Sequence, residues 1–263
     1  MDQGELHALT AFACALADAA RAETLPRLGR ASAADKNHGR GGFDPVTEAD
    51  RAAETAMRAM IEARFPDHGI AGEEFGTKAA RSEWVWSLDP IDGTRAYICG
   101  LPSWTTLIAL LLDEEPVVGV IDSPQLGERF VGWAGQAELV AKGEKVPLLV
   151  SGCGSLAEAR LSTTDPYLFE SADAEGFGRV RRQVRVTRYG LDAFGYAKLA
   201  AGDIDLVIES GLKPHDYKAL IPVVRGAGGV IGNWRGEDDF AEGKVVAAAS
   251  VRLFDEAVRL LSA

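Results

Sequence analysis

The chain has 263 residues, 47% hydrophobic and 25% charged, which is enough to bury a full core in one large domain or two joined subdomains. A formal net charge of -11, with no basic patch segregated in the sequence, argues against nucleic acid or an anionic membrane as partner. Three cysteines (Cys14, Cys99 and Cys153) at long spacings and no C-x-x-C argue against a disulfide framework or a zinc knuckle and fit a reducing cytoplasm. No basic stretch precedes an apolar one in MDQGELHA, so no signal peptide is expected.

In chain order, Leu6, Leu9, Phe12, Ala13, Leu16 and Ala20 recur at helical spacing, so the first ~30 residues read as an amphipathic helix. Residues 31–45, rich in Gly and polar side chains, read as a loop. Thr47-x-x-Asp50 has the form of a capping box and opens a second helix that runs to Arg64, with Pro66 ending it. Short strand-like pieces follow at 69–72, 84–88, 105–112, 117–121, 129–133 and 138–141, most of them separated by turn residues. The apolar run 107–112 is far too short to span a membrane. Past Val150 strands near 160–163, 183–186, 206–208 and 245–249 alternate with helices over 193–201, 216–226 and 253–261. The pattern predicts a layered α/β protein whose first half is mostly antiparallel.

The most informative stretch is Leu88-Asp89-Pro90-Ile91-Asp92-Gly93-Thr94, where an apolar strand runs into two aspartates. Pro90 restricts Asp89 to an extended conformation, and Gly93 permits close approach of backbone to ligand. Two carboxylates followed by free amides suit a cation and then an anion. Glu73-Glu74 ends another strand-like piece, and Asp216 sits at the start of a predicted helix. Glu73, Asp89, Asp92 and Asp216 thus offer oxygen ligands for a hard cation such as Mg²⁺. Two ions sharing Asp89 can clamp an in-line displacement at phosphorus. An acidic chain acting on a phosphate ester needs local positive charge, and bound metal is its simplest source. Each element also has an ordinary reading: a tight turn for D-P-x-D-G, solvated surface for Glu-Glu, helix caps for Asp50 and Asp216.

The order of these motifs closely resembles the inositol monophosphatase superfamily of Mg²⁺-dependent, lithium-sensitive phosphatases. The resemblance rests on Asp50 within VTEAD, Glu73-Glu74 within AGEEFG, DPIDGT from Asp89 to Thr94, and Asp216 within PHDYKALIPVVRGAGG, and covers nearly the whole chain from Asp44 to Gly229. It implies an αβαβα sandwich forming a single phosphatase domain, with the metal and phosphate motifs in a half of about residues 1–150 and a substrate-side α/β half at 151–263. It also implies a cytoplasmic homodimer, two or three Mg²⁺ ions per active site and inhibition by Li⁺. By position, the resemblance makes Glu73, Asp89, Asp92, Asp216 and the Ile91 carbonyl the metal ligands. Thr94 and Glu73 become the groups that orient and deprotonate a water, and Asp50 the acid behind a more weakly held ion. The Gly93 and Thr94 amides become the phosphate cradle, and Glu209 a partner for the substrate's hydroxyls.

Within the family, VTEADRAAE, GEEFG, GLPSWTTLIALL and LKPHDYKALIPVVRGAGG look most like the histidinol-phosphate phosphatase branch. The implied reaction is hydrolysis of L-histidinol phosphate to L-histidinol and phosphate, a step of histidine biosynthesis. The alternative is an inositol-1-phosphate or broad sugar-phosphate phosphatase. A cationic alcohol favours carboxylates beside the phosphate, and Asp192 with Glu209 is a candidate amine clamp. The competing reading makes Asp192 the cap of the helix from Ala193. The family's Trp before the last Asp is His215 here, and the usual Asn-aromatic after the Thr is Arg95-Ala96-Tyr97, both of which bear on substrate identity. GAGGVIG follows a helix and lacks Lys-Ser/Thr, so it reads as a helix-end turn and not a P-loop. The four histidines lack metal-ligand spacing, Cys14 reads as core, and Trp84, Trp86 and Trp104 read as packing. Lys36, Arg95 and Arg188 can each approach the phosphate or lie on the surface.

Overall fold

The computed structural model describes residues 2–29, 34–35 and 45–262; Lys36 lies outside them. Helix α1 (Gln3–Thr24) buries Leu6, Leu9, Ala13, Leu16, Ala17 and Ala20, a stripe at three- and four-residue spacing. Two short strands, β1 (Ala34–Asp35) and β2 (Pro45–Val46), pair antiparallel within the stretch read as a loop. Helix α2 (Glu48–Arg64) opens on the expected capping box, with Asp50 Oδ2 accepting from Thr47 N at 2.8 Å and Thr47 Oγ1 from Ala49 N at 3.1 Å.

Eight strands follow: β3 (Gly69–Gly72), β4 (Gly76–Lys78), β5 (Trp84–Asp92), β6 (Thr105–Leu112), β7 (Glu115–Ser123), β8 (Glu128–Trp133), β9 (Gln136–Ala141) and β10 (Glu144–Pro147). They form one sheet in the order β10-β9-β8-β7-β6-β5-β3-β4, antiparallel except for the parallel pair β3–β5. Helix α3 (Thr94–Ile98) interrupts the path from β5 to β6. A second sheet, ordered β12-β11-β13-β15-β14, contains β11 (Arg160–Thr163), β12 (Val186–Tyr189), β13 (Leu206–Glu209), β14 (Val230–Asn233) and β15 (Val245–Ala248). Its helices are α4 (Ser171–Arg181), α5 (Ala193–Ala200), α6 (Pro214–Tyr217), α7 (Leu220–Gly226) and α8 (Val251–Leu261).

The buried side chains show how these elements stack. On β6, Ile108 and Leu110 face the α1–α2 layer with Trp86, Leu88, Val118 and Val120. Leu107, Ala109 and Leu111 face the other way, onto α5, α7 and the inner residues Val207, Val245 and Ala247 of the second sheet. The outer face of that sheet (Leu161, Leu206, Ile208, Val246) is covered by α4 and α8. The order is helix, sheet, helix, sheet, helix. It explains why β6 is apolar at successive positions: alternate side chains point to opposite faces and both faces are covered.

The strands that the sequence pattern misses or shifts, namely β4, β10, β14 and β12, all lie at sheet edges. An edge strand such as Gly76–Lys78 or Glu144–Pro147 is defined by one neighbour's backbone and needs no apolar alternation. The strand expected at 183–186 runs instead over Val186–Tyr189, in register with Arg160–Thr163. The stretch GAGGVIG does turn at the end of α7, but its second half is β14. Helix α4 has two glycines and a weak apolar stripe, which hid it. The helix expected over 216–226 is two, α6 and α7: Pro222 has no N–H to give the Lys218 carbonyl, and the break falls at Lys218–Ala219. Trp86 and Trp104 are fully buried, as packing residues should be.

Candidate active site

The parallel pairing of β3 and β5 builds the site. Gly72 lies beside Leu88, and Glu73 N donates to Leu88 O at 3.1 Å, so Glu73 and Asp89 leave the sheet side by side at the same edge. After Asp89 the β5–β6 register shifts, so that Asp92 is again opposite Thr105. Gly93 then turns the chain at φ 78°, a conformation that suits glycine, and caps α3. Asp89, Asp92 and Asp216 bring carboxylate oxygens within 4.8 Å of one another.

Each aspartate is held by backbone on one side. Asp89 Oδ1 accepts from Ile91 N at 3.1 Å. Asp92 Oδ2 accepts from Ala193 N, the first amide of α5, at 2.8 Å and from Thr105 Oγ1 at 3.3 Å. Asp216 Oδ2 accepts from Lys213 N at 2.7 Å, the capping-box bond of α6. Asp216 is therefore both a cap and a member of the cluster. Burial pushes the Asp89 carboxyl well above the usual range, with the charges of Glu73, Asp92 and Asp216 adding to it. Burial does the same to Asp92, aided by Asp192 and Asp216, and to Asp216. The Thr94 hydroxyl donates to the Ile91 carbonyl at 3.0 Å, which leaves its oxygen to accept from a further group.

Behind this cluster, α2 supplies two buried carboxylates. Asp50 gives one oxygen to the cap; its Oδ1 is buried with no partner among the described residues, and burial raises its carboxyl to about 6, with Glu74 and Glu73 contributing. Asp50, like Asp216, is a cap with one oxygen to spare. Glu54 lies one turn on and is fully buried. It accepts from Arg58 Nε at 2.7 Å, Glu74 N at 2.7 Å and Phe75 N at 3.2 Å, fixing the turn that carries Glu73. The turn fits because residue 72 is glycine: a Cβ there would stand 1.9 Å from Glu54 Oε1.

At the start of α5, the Asp192 side chain makes no cap bond, so the capping reading fails. Its Oδ2 lies 3.0 Å from where a Cβ on Gly93 would sit, beside the start of α3. Burial lifts Asp192 to about 6 against an opposing Thr164 hydrogen bond and the Arg95 charge. Asp192 also has φ 49°, uncommon for a residue other than glycine. Glu209, at the end of β13, accepts from Thr164 N at 2.7 Å, Thr164 Oγ1 at 3.0 Å and Thr163 Oγ1 at 3.2 Å. Thr164 thus touches both Asp192 and Glu209.

The model of the inositol monophosphatase family matches residues 5–262. The chain belongs to that family. It is 47% identical over 197 residues to the bifunctional phosphatase IMPL2, chloroplastic, of Arabidopsis thaliana, a match covering 74% of this chain and 56% of that one. It is 35% identical over 257 residues to the histidinol-phosphatase of Streptomyces coelicolor, covering 94% of each. Among solved structures, an inositol monophosphatase from Zymomonas mobilis superposes with a TM-score of 0.85 at 38% identity, over 98% of each chain.

Members of the family are metal-dependent phosphatases, and this chain's residues fit a bound cation. Three carboxylates, buried Asp89 and half-buried Asp92 and Asp216, crowd together with raised pKa values, and the buried Asp50 Oδ1 has no partner among the described residues. An oxygen-only cluster of this kind suits a hard divalent ion. The structure brings Asp89, Asp92 and Asp216 into one cluster, with Glu73, Thr94 and Asp50 around it and Asp192 and Glu209 close by, joined through Thr164. Arg95 acts on Asp192, while Arg188 lies exposed on β12. Motif reading missed Glu54 and Thr164. Glu54 had a signal: it is a carboxylate on the same face of α2 as Ala49, Ala53, Met57 and Ile61. Thr164 had none, since its meaning comes from two carboxylates distant in sequence. Among the described residues no helix is long and apolar enough to cross a membrane.

Proposed function

We propose that the chain is a Mg²⁺-dependent phosphomonoesterase that hydrolyses L-histidinol phosphate to L-histidinol and phosphate, in histidine biosynthesis. The observation that carries this reading is the oxygen cluster of Asp89, Asp92 and Asp216 next to the paired carboxylates Asp192 and Glu209. Glu73, Asp89, Asp92, Asp216 and the Ile91 carbonyl would hold two ions, with Asp50 behind a third. When bound, such ions neutralise charge on the phosphoryl oxygens and make a water acidic enough to attack.

The chain's own groups do the rest. The Gly93 and Thr94 amides at the start of α3 hold a phosphoryl oxygen. Thr94 Oγ1, its proton given to Ile91 O, accepts a hydrogen from the attacking water, and Glu73 takes the water's proton. Asp192 binds the ammonium of the alcohol, and Glu209, bridged to it by Thr164, fixes its position. The whole chain acts as one phosphatase domain, its metal half at 1–150 and its substrate half at 151–263. It works as a cytoplasmic homodimer and is inhibited by Li⁺.

The histidinol-phosphatase of Streptomyces coelicolor supports the substrate. The Zymomonas mobilis structure supports a second reading, an inositol-1-phosphate or broader sugar-phosphate phosphatase. Phosphate release from L-histidinol phosphate and from inositol 1-phosphate, measured side by side with Mg²⁺ and after EDTA, separates the two. A Mg²⁺-dependent kcat/KM at least ~100-fold higher for histidinol phosphate, about 2.7 kcal/mol of discrimination, supports the first. Equal or reversed rates favour the second, and activity surviving thorough chelation overturns the metal mechanism.

A further inference from the structure

The first turns of α1, the end of α2 and the start of β5 enclose a cavity of about 350 Å³ that the catalytic reading leaves unused. Trp84 opens β5, and Asp89 lies five residues on, so a rise of ~3.3 Å per residue sets them roughly 16 Å apart along the strand. One wall of the cavity is a stack of three rings. Phe65 lies on His68 at 4.6 Å between centroids and 9° between planes, and His68 on Trp84 at 5.9 Å and 22°. Phe12 meets Phe65 edge-on at 5.0 Å. All four rings are half-buried and keep some surface open, unlike their neighbour Trp86, which is fully buried.

The polar groups of the cavity are few, and they differ in kind. His68 Nδ1 accepts from Trp86 Nε1 at 3.1 Å, and burial holds the imidazole below its ordinary pKa, so the neutral ring carries its hydrogen on Nε2 as a donor. Arg64 is exposed, and its guanidinium stands 5.7 Å from the Phe65 centroid. Glu5, also exposed, shares a face of α1 with Leu9 of the cavity wall. Among the described residues neither Arg64 nor Glu5 makes an ion pair. Two donors thus stand at the end of α2 and just beyond it, an acceptor stands on α1, and a stack of rings joins them. A ligand that meets all three has a planar ring, a carboxylate and an ammonium. We propose that this cavity binds a free aromatic amino acid, its ring against Phe65, His68 and Trp84, its carboxylate on Arg64 and His68 Nε2, and its ammonium on Glu5. The site goes beyond the phosphatase reading and does not rest on it.

The same rings can instead be only the rim of the α1–α2 core, with Glu5 an acid that complements the first turn of its helix. That role gives no saturable site. Calorimetric titration of the whole chain with L-phenylalanine, L-leucine, 3-phenylpropionate and phenethylamine takes the ligand apart group by group. We expect one saturable L-phenylalanine site per chain, and at least ~10-fold weaker binding of the other three, each of which lacks the ring, the ammonium or the carboxylate. Arg64→Gln and Glu5→Gln, both at exposed positions, should each weaken L-phenylalanine at least ~10-fold. Ala8→Phe, at an exposed position lining the cavity, should fill it and remove binding. Asp192→Asn should bind L-phenylalanine as the wild type does, which separates this cavity from the proposed amine site near the carboxylate cluster. In a nitrogen–proton NMR correlation the indole signals of Trp84 and Trp86 should shift on adding L-phenylalanine, and that of Trp234, packed in the other sheet's outer layer, should not. Absence of saturable binding, equal binding of L-leucine, affinity unchanged in Arg64→Gln, Glu5→Gln or Ala8→Phe, or affinity lost in Asp192→Asn overturns the proposal. So does self-association that Ala8→Phe abolishes, since a second copy of the chain then covers the cavity.

Discussion

Asp89 and Glu209 are both buried carboxylates at the ends of strands, one in each sheet, and the fold treats them in opposite ways. Asp89 accepts from Ile91 N and is ringed by Glu73, Asp92 and Asp216. Glu209 receives three donors from Thr163 and Thr164, and its own carbonyl accepts from Trp234 Nε1 at 3.0 Å. Glu209 is positioned by the protein alone. Asp89 sits in a cluster whose negative charge a cation would offset. Carboxyls crowded against one another mark a region suited to a cation, and a carboxyl whose oxygens are taken up by protein donors marks a region suited to positioning.

Replacing Asp89 with Asn tests that contrast with the largest expected effect. Turnover should fall below ~1% of wild type, because the ligand shared by the ions is lost. The metal-free variant should melt no lower than metal-free wild type, since repulsion is relieved. A lower melting temperature would break the comparison. Glu54→Ala comes next: it strands Arg58 and the amides of Glu74 and Phe75, and should cost about 3 kcal/mol in urea unfolding, as breaking a buried pair does. Asp192→Asn should reduce kcat/KM for histidinol phosphate by ~10-fold while sparing inositol phosphate, which follows from losing one charge-assisted contact.

The smallest effect concerns pH. Burial raises Glu209 from 4.5 to about 8. Between those values the folded chain keeps a proton that the unfolded chain releases, so this contribution is full below pH 4.5 and is lost as the pH rises through about 8. Metal-free wild type should therefore lose more melting temperature than Glu209→Gln on going from pH 5 to pH 8. Equal slopes would mean that the three donors offset burial and hold Glu209 ionised, which would sharpen the contrast with Asp89.

The metal side was legible because its residues lie in short motifs: a strand, a proline and a glycine fix where Asp89 and Asp92 point, and the capping box fixes Asp50. The layers were legible from residues such as Leu107 and Ile108, which face opposite helical layers. The edge strands were not, because Glu144–Pro147 carries no pattern apart from its neighbour β9. Nor was the bridge from Asp192 through Thr164 to Glu209, which exists only once β11, β13 and the start of α5 meet.

The contact between Gly72 and Glu54 couples two positions that are distant in sequence. A side chain at position 72 would collide with the Glu54 carboxylate at 1.9 Å, and shortening Glu54 would unpin the turn carrying Glu73. Either change alone disturbs this contact, whereas a paired exchange can relieve one with the other. A library randomised at residue 72 only should return glycine, whereas one randomised at 54 and 72 together can reach sequences that no single step allows.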